Sequence, residues 1–509
     1  MEVFVRRISW IQSVLVLSVW LQRAHSSSSE HSSPFRPKST IKPSPRHHGR
    51  RRRPPLHGRR QGPPPHKIIT RLPVTEAVRT VFLAKRWRHL WSSTPLVLND
   101  DDLPVPGPGR DALVPRVLAK HPGHFHSVRL TDCRLDTLDG GLPDWPLVLA
   151  DKHTQKLHLV NGFNPDQPNT FPLITADVLR CGSLEELLLG YWTLPADLSR
   201  GGNISLPHLR SLTLLTVVIS DEDLEHLITA CPVLETLQLN SGRPRRVRLR
   251  SGSLRCALVG LSRVQDFTAV DAPLLERLVL FLPDNGVMVN IGCPANLRVL
   301  GHLDTRVHRL QIRDIVIEPN TMASASTVIP SVKILAVTVN FGVLSELNML
   351  TSFLRCFPSI DTLHIESTLR DPSVTANETS GEHQSTLSET ANESSGEHHH
   401  ARFWQEVSPV ECLISHVKKM VIHKFRGDQD EFEFLKFIAM KAQELQSLHV
   451  VLQQGTVPST DKVNETEEAL QCLRFRKGIS GVLLVLPTVG FRASVQKATD
   501  FTVHDPFHF

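Results

Sequence analysis

One short phrase recurs along the middle of the chain and limits the folds open to it. It reads HSVRLTDC at His126, QKLHLVNG at Gln155, LEELLLGYW at Leu184, LRSLTLLT at Leu209 and LETLQLNS at Leu234. It returns as LERLVLFL at Leu275, VKILAVTV at Val332 and IDTLHIES at Ile360, with weaker copies at Leu254 (LRCALVGL) and Leu297 (LRVLGHL). The pattern L-x-x-L-x-L gives a short strand whose alternate side chains face one side. Spacings run mostly from twenty to thirty residues with irregular connections. No single copy can bury its apolar face, so neighbours must stack, share a continuous core and curve into an arc.

This is the leucine-rich-repeat signature, and it predicts an α/β solenoid over residues 105–370. The connections include helix-like segments such as SDEDLEHLITACPVLE. There Ser220 can cap a helix, Asp223 follows three residues on, and Leu224, Leu227 and Ile228 turn inward. Residues 371–400 break the pattern. TANETSGEH at Thr375 returns as TANESSGEH at Thr390 in a polar, acidic stretch without an apolar face, which predicts a low-complexity loop. His398, His399 and His400 close that loop as solvated residues, without the carboxylate support a metal site needs. Beyond it, residues 401–509 open on a strand, KKMVIHKF, that leads through Arg426-Gly427-Asp428 into a helix bearing Phe434, Leu435, Ile438, Ala442 and Leu445. A second strand, LHVVL, follows. Such a strand-helix-strand unit would continue and cap the open end of a solenoid.

Ahead of the repeats, residues 71–98 read RLPVTEAVRTVFLAKRWRHLWSSTPLVL. Val78, Phe82, Leu83, Trp87, Leu90 and Trp91 recur at three- and four-residue steps. They share one face of a helix, or of two short helices broken near Thr80. Pro73 fits a first helical turn, where a missing N–H is no loss. Two tryptophans on so short a unit exceed what it can bury alone, so the stripe meets the rest of the chain or a partner.

These residues carry a family resemblance. The run from 71 to 103, with its exit WSSTPLVLNDDDL, closely resembles the second half of a plant-type F-box. Where that family has a Leu-Pro-acidic-acidic opening, this chain reads GPPPHKIITRLP, so the F-box is a partial one over residues 67–103. The irregular repeats resemble the plant F-box leucine-rich-repeat proteins, down to the phrases CPVLETL and APLLERL. The strand-helix-strand unit and the ending ATDFTVHDPF resemble the FBD module of the same proteins. The resemblance implies a non-catalytic substrate-recognition subunit of an SCF-type ubiquitin ligase. Its partners would be a Skp-type adaptor and cullin scaffold through the F-box, and a protein substrate on the concave strand face. It assigns the adaptor contact to Leu72, Pro73, Ala77, Val78, Leu83, Trp87, Leu90 and Trp91. The alternative is a leucine-rich-repeat binding protein outside any ligase, either secreted or a decoy that has lost adaptor binding.

Charge and cysteines bear on where such a chain works. Residues 1–66 hold thirteen Lys or Arg against two Glu, and the rest of the chain is net negative within a total of +6. The Ser-, Pro- and Arg-rich segment 26–66 predicts a disordered basic tail. Its run Arg50–Arg53 reads as a solvated tail or a nuclear import signal. No basic body suited to nucleic acid is present. Arg243, Arg245, Arg246, Arg248 and Arg250 form the densest basic cluster in the body, a solvated repeat edge or a greeting surface for an acidic segment. Eight cysteines from Cys133 to Cys472 lack a C-x-x-C pair and read as buried free thiols, which favours a reducing cytoplasm or nucleus. The apolar run Ile8–Leu21 after Arg6 and Arg7, within residues 1–25, argues the other way. It has the form of a secretory signal, or else is a spurious first segment, and is too short for a membrane span. The sequence holds no G-x-S-x-G, no phosphate-cradling Gly-Lys-Ser/Thr loop and no H-E-x-x-H, so neither catalysis nor a cofactor or metal is expected. Asp100, Asp101 and Asp102 read as a solvated acidic exit. Trp145, Trp192 and Trp404 read as core.

Overall fold

The computed structural model describes residues 93–103, 108–131, 145–161, 171–201, 204–240, 244–260, 264–281, 286–292, 295–322, 324, 326–369, 403–453, 482–485 and 495–507, with single positions at 76, 90, 466, 468 and 470. The chain separates into two units, 1–62 and 63–509, and every described residue belongs to the second. The expected signal-like segment, the basic tail and the 371–400 loop lie outside the described residues.

The aliphatic phrases make one parallel sheet. It opens with β1 (Leu96–Asn99), from the exit of the helical unit and ahead of the expected start at 105. Helix α1 (Pro108–Lys120), β2 (Phe125–Leu130), α2 (Trp145–Asp151), β3 (Lys156–Val160) and β4 (Glu186–Gly190) follow. Then come α3 (Leu198–Gly201), β5 (Ser211–Leu215), α4 (Asp221–Thr229) and β6 (Thr236–Asn240). The middle of the chain is all strand: β7 (Arg246–Arg250), β8 (Cys256–Gly260), β9 (Asp266–Asp271), β10 (Arg277–Phe281), β11 (Val287–Asn290), β12 (Val299–Asp304), β13 (His308–Ile312) and β14 (Ile315–Val316). It closes with β15 (Ile334–Val339), α5 (Leu344–Cys356), β16 (Thr362–Ser367), α6 (Glu411–Ser415), β17 (Lys419–Phe425), α7 (Gln429–Lys441), β18 (Ser447–Leu452), β19 (Val482–Val485) and α8 (Val495–Thr499).

Fourteen of these strands form the main sheet in the order β1-β2-β3-β4-β5-β6-β8-β10-β12-β15-β16-β17-β18-β19. Each phrase sends its aliphatic residues to the helix side. Leu184, Leu187 and Leu189 are buried, as are Leu234, Leu237 and Leu239, and Ile360, Leu363 and Ile365. They join one continuous core with the helix residues Leu224, Leu227, Leu347, Leu350 and Phe434. Each buried leucine contributes on the order of 2 kcal/mol, so stability accrues by stacking.

The turn into each strand repeats as well. Consecutive amides of Arg210 and Ser211 both donate to the Glu185 carbonyl, and those of Glu235 and Thr236 to the Arg210 carbonyl. Those of Arg255 and Cys256 donate to the Glu235 carbonyl, and those of Glu276 and Arg277 to the Arg255 carbonyl. Side chains at this turn alternate in sign along the stack. They pair as Arg210 with Glu235 and as Arg255 Nε with Glu276 Oε1 at 2.7 Å.

Helices do not fill every connection. Between β6 and β15 the return segments form a second sheet, ordered β14-β13-β11-β9-β7. Val247, Leu249, Phe267, Val287, Val289, Leu310 and Ile312 turn from it into the common core. The cause is composition. RVRLR, DFTAVD, VMVN and HRLQI alternate apolar with polar and are β-branched, whereas the one helical return nearby, α4, carries a three- and four-residue apolar spacing. Ser220 caps α4 as its spacing implies, its Oγ accepting the Asp223 amide at 3.1 Å.

The C-terminal unit extends the same sheet. Strand β17 pairs with β16 from Thr362↔Lys419 to Glu366↔His423. Gly427, at φ +82°, turns the chain into α7. There the buried Glu431 carboxylate accepts the amides of Arg426, Gly427 and Asp428 at 2.8–3.1 Å. Trp404 is buried against Phe403, Phe434 and Phe437.

Candidate functional site

The candidate site is the sheet face turned away from helices α1 to α7, because strand alternation leaves every second side chain there. In-register pairing lines these residues into rows. One row runs Ser127, Lys156, Glu186, Ser211, Thr236, Cys256, Arg277, Val299, Ile334, Thr362 and Lys419. The next runs Arg129, His158, Leu188, Thr213, Gln238, Leu258, Val279, Gly301, Ala336, His364 and Val421 over the same strands, with the β12–β15 register slipping beyond Leu300.

Each row changes character at the same place. From β2 to β6 the side chains are polar apart from Leu188, and from β8 onward they are mainly apolar. Cys256, Leu258, Val279, Val299, Ile334 and Ala336 form a second core, separate from the helix-side one, with Ala498 and Phe507. The chain's own carboxyl-terminal segment, 495–507, therefore lies over this half. Part of the strand face expected to hold a protein substrate is thus covered by the chain itself. Gly301 belongs here because a Cβ on it would come within 2.5 Å of the Ala336 Cβ.

The side chains of the β2–β6 half are mostly half-buried and interact with one another. Glu186 sits between two basic groups, with His158 Nε2 at 2.7 Å and Lys156 Nζ at 3.1 Å. The His158 hydrogen bond and the Lys156 charge hold its carboxyl at about 2, against the opposing effect of burial. His126 Nδ1 meets Gln155 Oε1 at 2.6 Å. Arg129 is half-buried, and its Nε finds no hydrogen-bond partner among the described residues. Such a face can hold polar and acidic groups of a protein chain.

Of the residues expected to contact an adaptor, Leu90 is the one the structure describes. It is half-buried and packs on the repeat core. Leu72, Pro73, Ala77, Val78, Leu83, Trp87 and Trp91 lie outside the described residues. The acidic exit is not wholly solvated. Asp100 is buried, and its Oδ2 accepts the Thr131 amide at 2.7 Å, tying β1 to the end of β2. Arg246, Arg248 and Arg250 project from β7, an outer strand of the second sheet, while Val247 and Leu249 point inward, which makes the basic cluster a solvated edge. Cys181, Cys231, Cys256, Cys356 and Cys412 are buried free thiols, each pushed up to about 11 or 12 chiefly by burial. Among the described residues no three His, Cys, Asp or Glu side chains group as metal ligands. Trp192 and Trp404 are core, and the Trp192 Nε1 donates to the Leu159 carbonyl at 3.1 Å.

Comparison with known proteins bears on the same regions. Residues 142–365 match the family described as FBD-associated F-box protein At5g56370, LRR repeats, and residues 405–449 match the FBD family. The F-box/FBD/LRR-repeat protein At1g13570 of Arabidopsis thaliana is 28% identical over 185 residues, 34% of this chain and 41% of that protein. The FBD-associated F-box protein At5g60610 of Arabidopsis thaliana is 30% identical over 172 residues, 34% of this chain and 42% of that protein. The matched stretch thus spans about two fifths of the length of these curated relatives.

Proposed function

We propose that this chain, which carries the leucine-rich repeats and the FBD module of the plant F-box/FBD/LRR-repeat proteins, is a substrate-recognition subunit of an SCF-type ubiquitin ligase. The partial F-box over 67–103 docks a Skp-type adaptor and, through it, the cullin scaffold. A protein substrate lies on the polar strand face from β2 to β6. The ligase then works by proximity, since a held substrate presents its lysines at high effective concentration to a charged ubiquitin carrier. No catalytic group is required of this chain.

The observation that supports the reading is the divided strand face. One half is closed by the chain's own terminus. The other presents Lys156, His158 and Glu186, which pair with one another. Co-purification from plant cells tests it. The unaltered chain is expected to bring down a Skp-type adaptor, and Leu83→Ala combined with Trp87→Ala to lose it. Equal recovery of the adaptor by both would overturn the assignment.

A second reading has one observation in its favour. Leu90 rests partly on the repeat core, as a stripe sealed against its own molecule would. The chain would then be a repeat binder with no ligase role. The buried free thiols support action in the cytoplasm or nucleus. Amino-terminal sequencing of the protein from its own cells separates this from secretion, in which the mature chain would start near Ser27.

A further inference from the structure

We propose that the strand face from β8 to β17 is a peptide-binding groove. Residues 495–507 occupy it in cis as a helical turn followed by an irregular run, and in trans it accepts a segment of a partner protein able to take that path, bearing two aromatic residues six positions apart and a carboxylate two positions before the second.

The carboxyl-terminal segment is held the way a ligand is held. Arg277 is 6% exposed, yet among the described residues its guanidinium forms no salt bridge with a carboxylate and bonds main-chain carbonyls instead. Its Nη1 donates to the carbonyls of Lys497, Ala498 and Asp500 at 3.1, 2.8 and 3.0 Å, and its Nη2 to that of Val503 at 2.6 Å. A buried charge needs such partners, because an unpaired one is expensive. Carbonyl recognition reads no side chain, so any chain following this path would satisfy Arg277. Selectivity comes from three other contacts. Phe501 lies under the Arg255 guanidinium at 3.8 Å and within 5.2 Å of that of Arg277. Phe507 packs against the His302 and His364 rings and on the apolar rows beneath. Asp505 meets His364 Nε2 at 3.1 Å and Lys419 Nζ at 2.9 Å.

None of these contacts is strand pairing. The segment belongs to neither sheet, so it can leave without breaking a ladder bond. Its departure would expose Leu258, Val279, Val299, Ile334 and Ala336 together, a patch that needs a cover. The groove is also continuous with the open polar face, since Thr236 and Gln238 of β6 pair with Cys256 and Leu258 of β8. A partner chain lying on the polar half runs directly into the bound terminus. The groove itself does not rest on the ligase reading.

Competition between cis and trans occupants makes this measurable. A tethered segment acts at an effective concentration on the order of millimolar, so it masks the groove from a weaker free peptide. A fluorescent peptide of residues 495–507 is titrated into the full chain and into the full-length Phe501→Ala/Phe507→Ala variant, followed by anisotropy. The variant is expected to bind the peptide at least tenfold more tightly than the unaltered chain. A peptide carrying the Asp505→Asn and Phe507→Ala changes is expected to bind the variant at least tenfold more weakly than the parent peptide. No uptake by a variant with a native circular dichroism spectrum, or equal uptake of both peptides, would overturn the proposal. Concentration-dependent dimers of the unaltered chain without peptide uptake would overturn it in favour of a second copy. Should the variant not fold, millimolar peptide is added to the unaltered chain. Faster hydrogen exchange across 495–507 then supports the groove, and unchanged exchange overturns it. Adaptor recovery, read in the same samples, fails or survives independently of peptide binding.

Discussion

His308 shows how a single buried side chain links this stack to pH. Its Nδ1 accepts the Asp304 amide at 2.7 Å, and its Nε2 has no hydrogen-bond partner among the described residues. Burial lowers its pKa to about 4, opposed by the nearby Asp304 charge. The unfolded chain takes up a proton near 6.5 that the folded chain refuses until about 4. The contribution of this group is therefore complete above pH 6.5 and is lost as pH falls toward 4, amounting to about 3 kcal/mol for a shift of this size. Buried His364 and His423 are lowered in the same direction, each chiefly by burial, and add to the slope. His308→Asn keeps an acceptor for the Asp304 amide and removes the titration. Urea unfolding at pH 7 and pH 4.5 is expected to show a stability difference smaller by about 2–3 kcal/mol in the variant than in the unaltered chain. An identical difference in the two proteins would show that His308 does not carry this share.

Among the elements, the strands of the main sheet were legible and the second sheet was not. The phrases that gave β2 to β6 carry aliphatic residues two apart, the one period a strand requires. The helices were legible where caps and spacing agreed, as with Ser220 ahead of α4. The return strands β7, β9, β11 and β13 are four to six residues long, and they sit where a helix is the usual connection. Yet Arg246-Val247-Arg248-Leu249-Arg250 alternates strictly, a signal that this return is a half-buried strand. The bound terminus was hidden for another reason. Arg277 and the carbonyls it holds lie more than two hundred positions apart, beyond the reach of local pattern. The trace it left is the change of outward residues from Ser211 and Thr236 to Cys256, Val299 and Ile334.

The arginines of β7 also do work that the pattern implies. Strand β7 ends the second sheet, with α4 packed beside it, and outward charge is a recognised guard on such edges. Replacing Arg246, Arg248 and Arg250 together with valine leaves Val247 and Leu249 in the core but removes that guard. Light scattering is expected to show concentration-dependent association of the triple variant at concentrations where the unaltered chain stays monodisperse. A variant that remains monodisperse would place the protection of this edge elsewhere, for instance in α4, whose Asp221 Oδ1 accepts the Arg245 amide at 2.8 Å.

At the scale of the molecule, the repeats and the FBD-matching region behave as one body. Residues 142–365 and 405–449 match two separate families, which invites the picture of two domains on a tether. The hydrogen bonds say otherwise. Strand β17 continues the ladder of β16, and the Lys418 and Lys419 amides both donate to the Asp361 carbonyl. The Asp361 and Thr362 amides in turn donate to the Lys333 carbonyl, in the turn geometry used throughout the repeats. Phe341 from the repeats packs on Phe434 of α7 with ring centroids 5.0 Å apart, so the core crosses the same boundary. Stacked units of this kind gain much of their stability from the interface with a neighbour. Leu363→Ala, in β16 just before the junction, removes a buried side chain at an expected cost of about 2–5 kcal/mol. Native-state hydrogen exchange read by mass spectrometry should then show protection falling together in residues 362–367 and 419–425. Loss confined to 362–367, with 419–425 unchanged, would mean that the FBD-matching region holds its own fold and the continuous sheet is only an abutment.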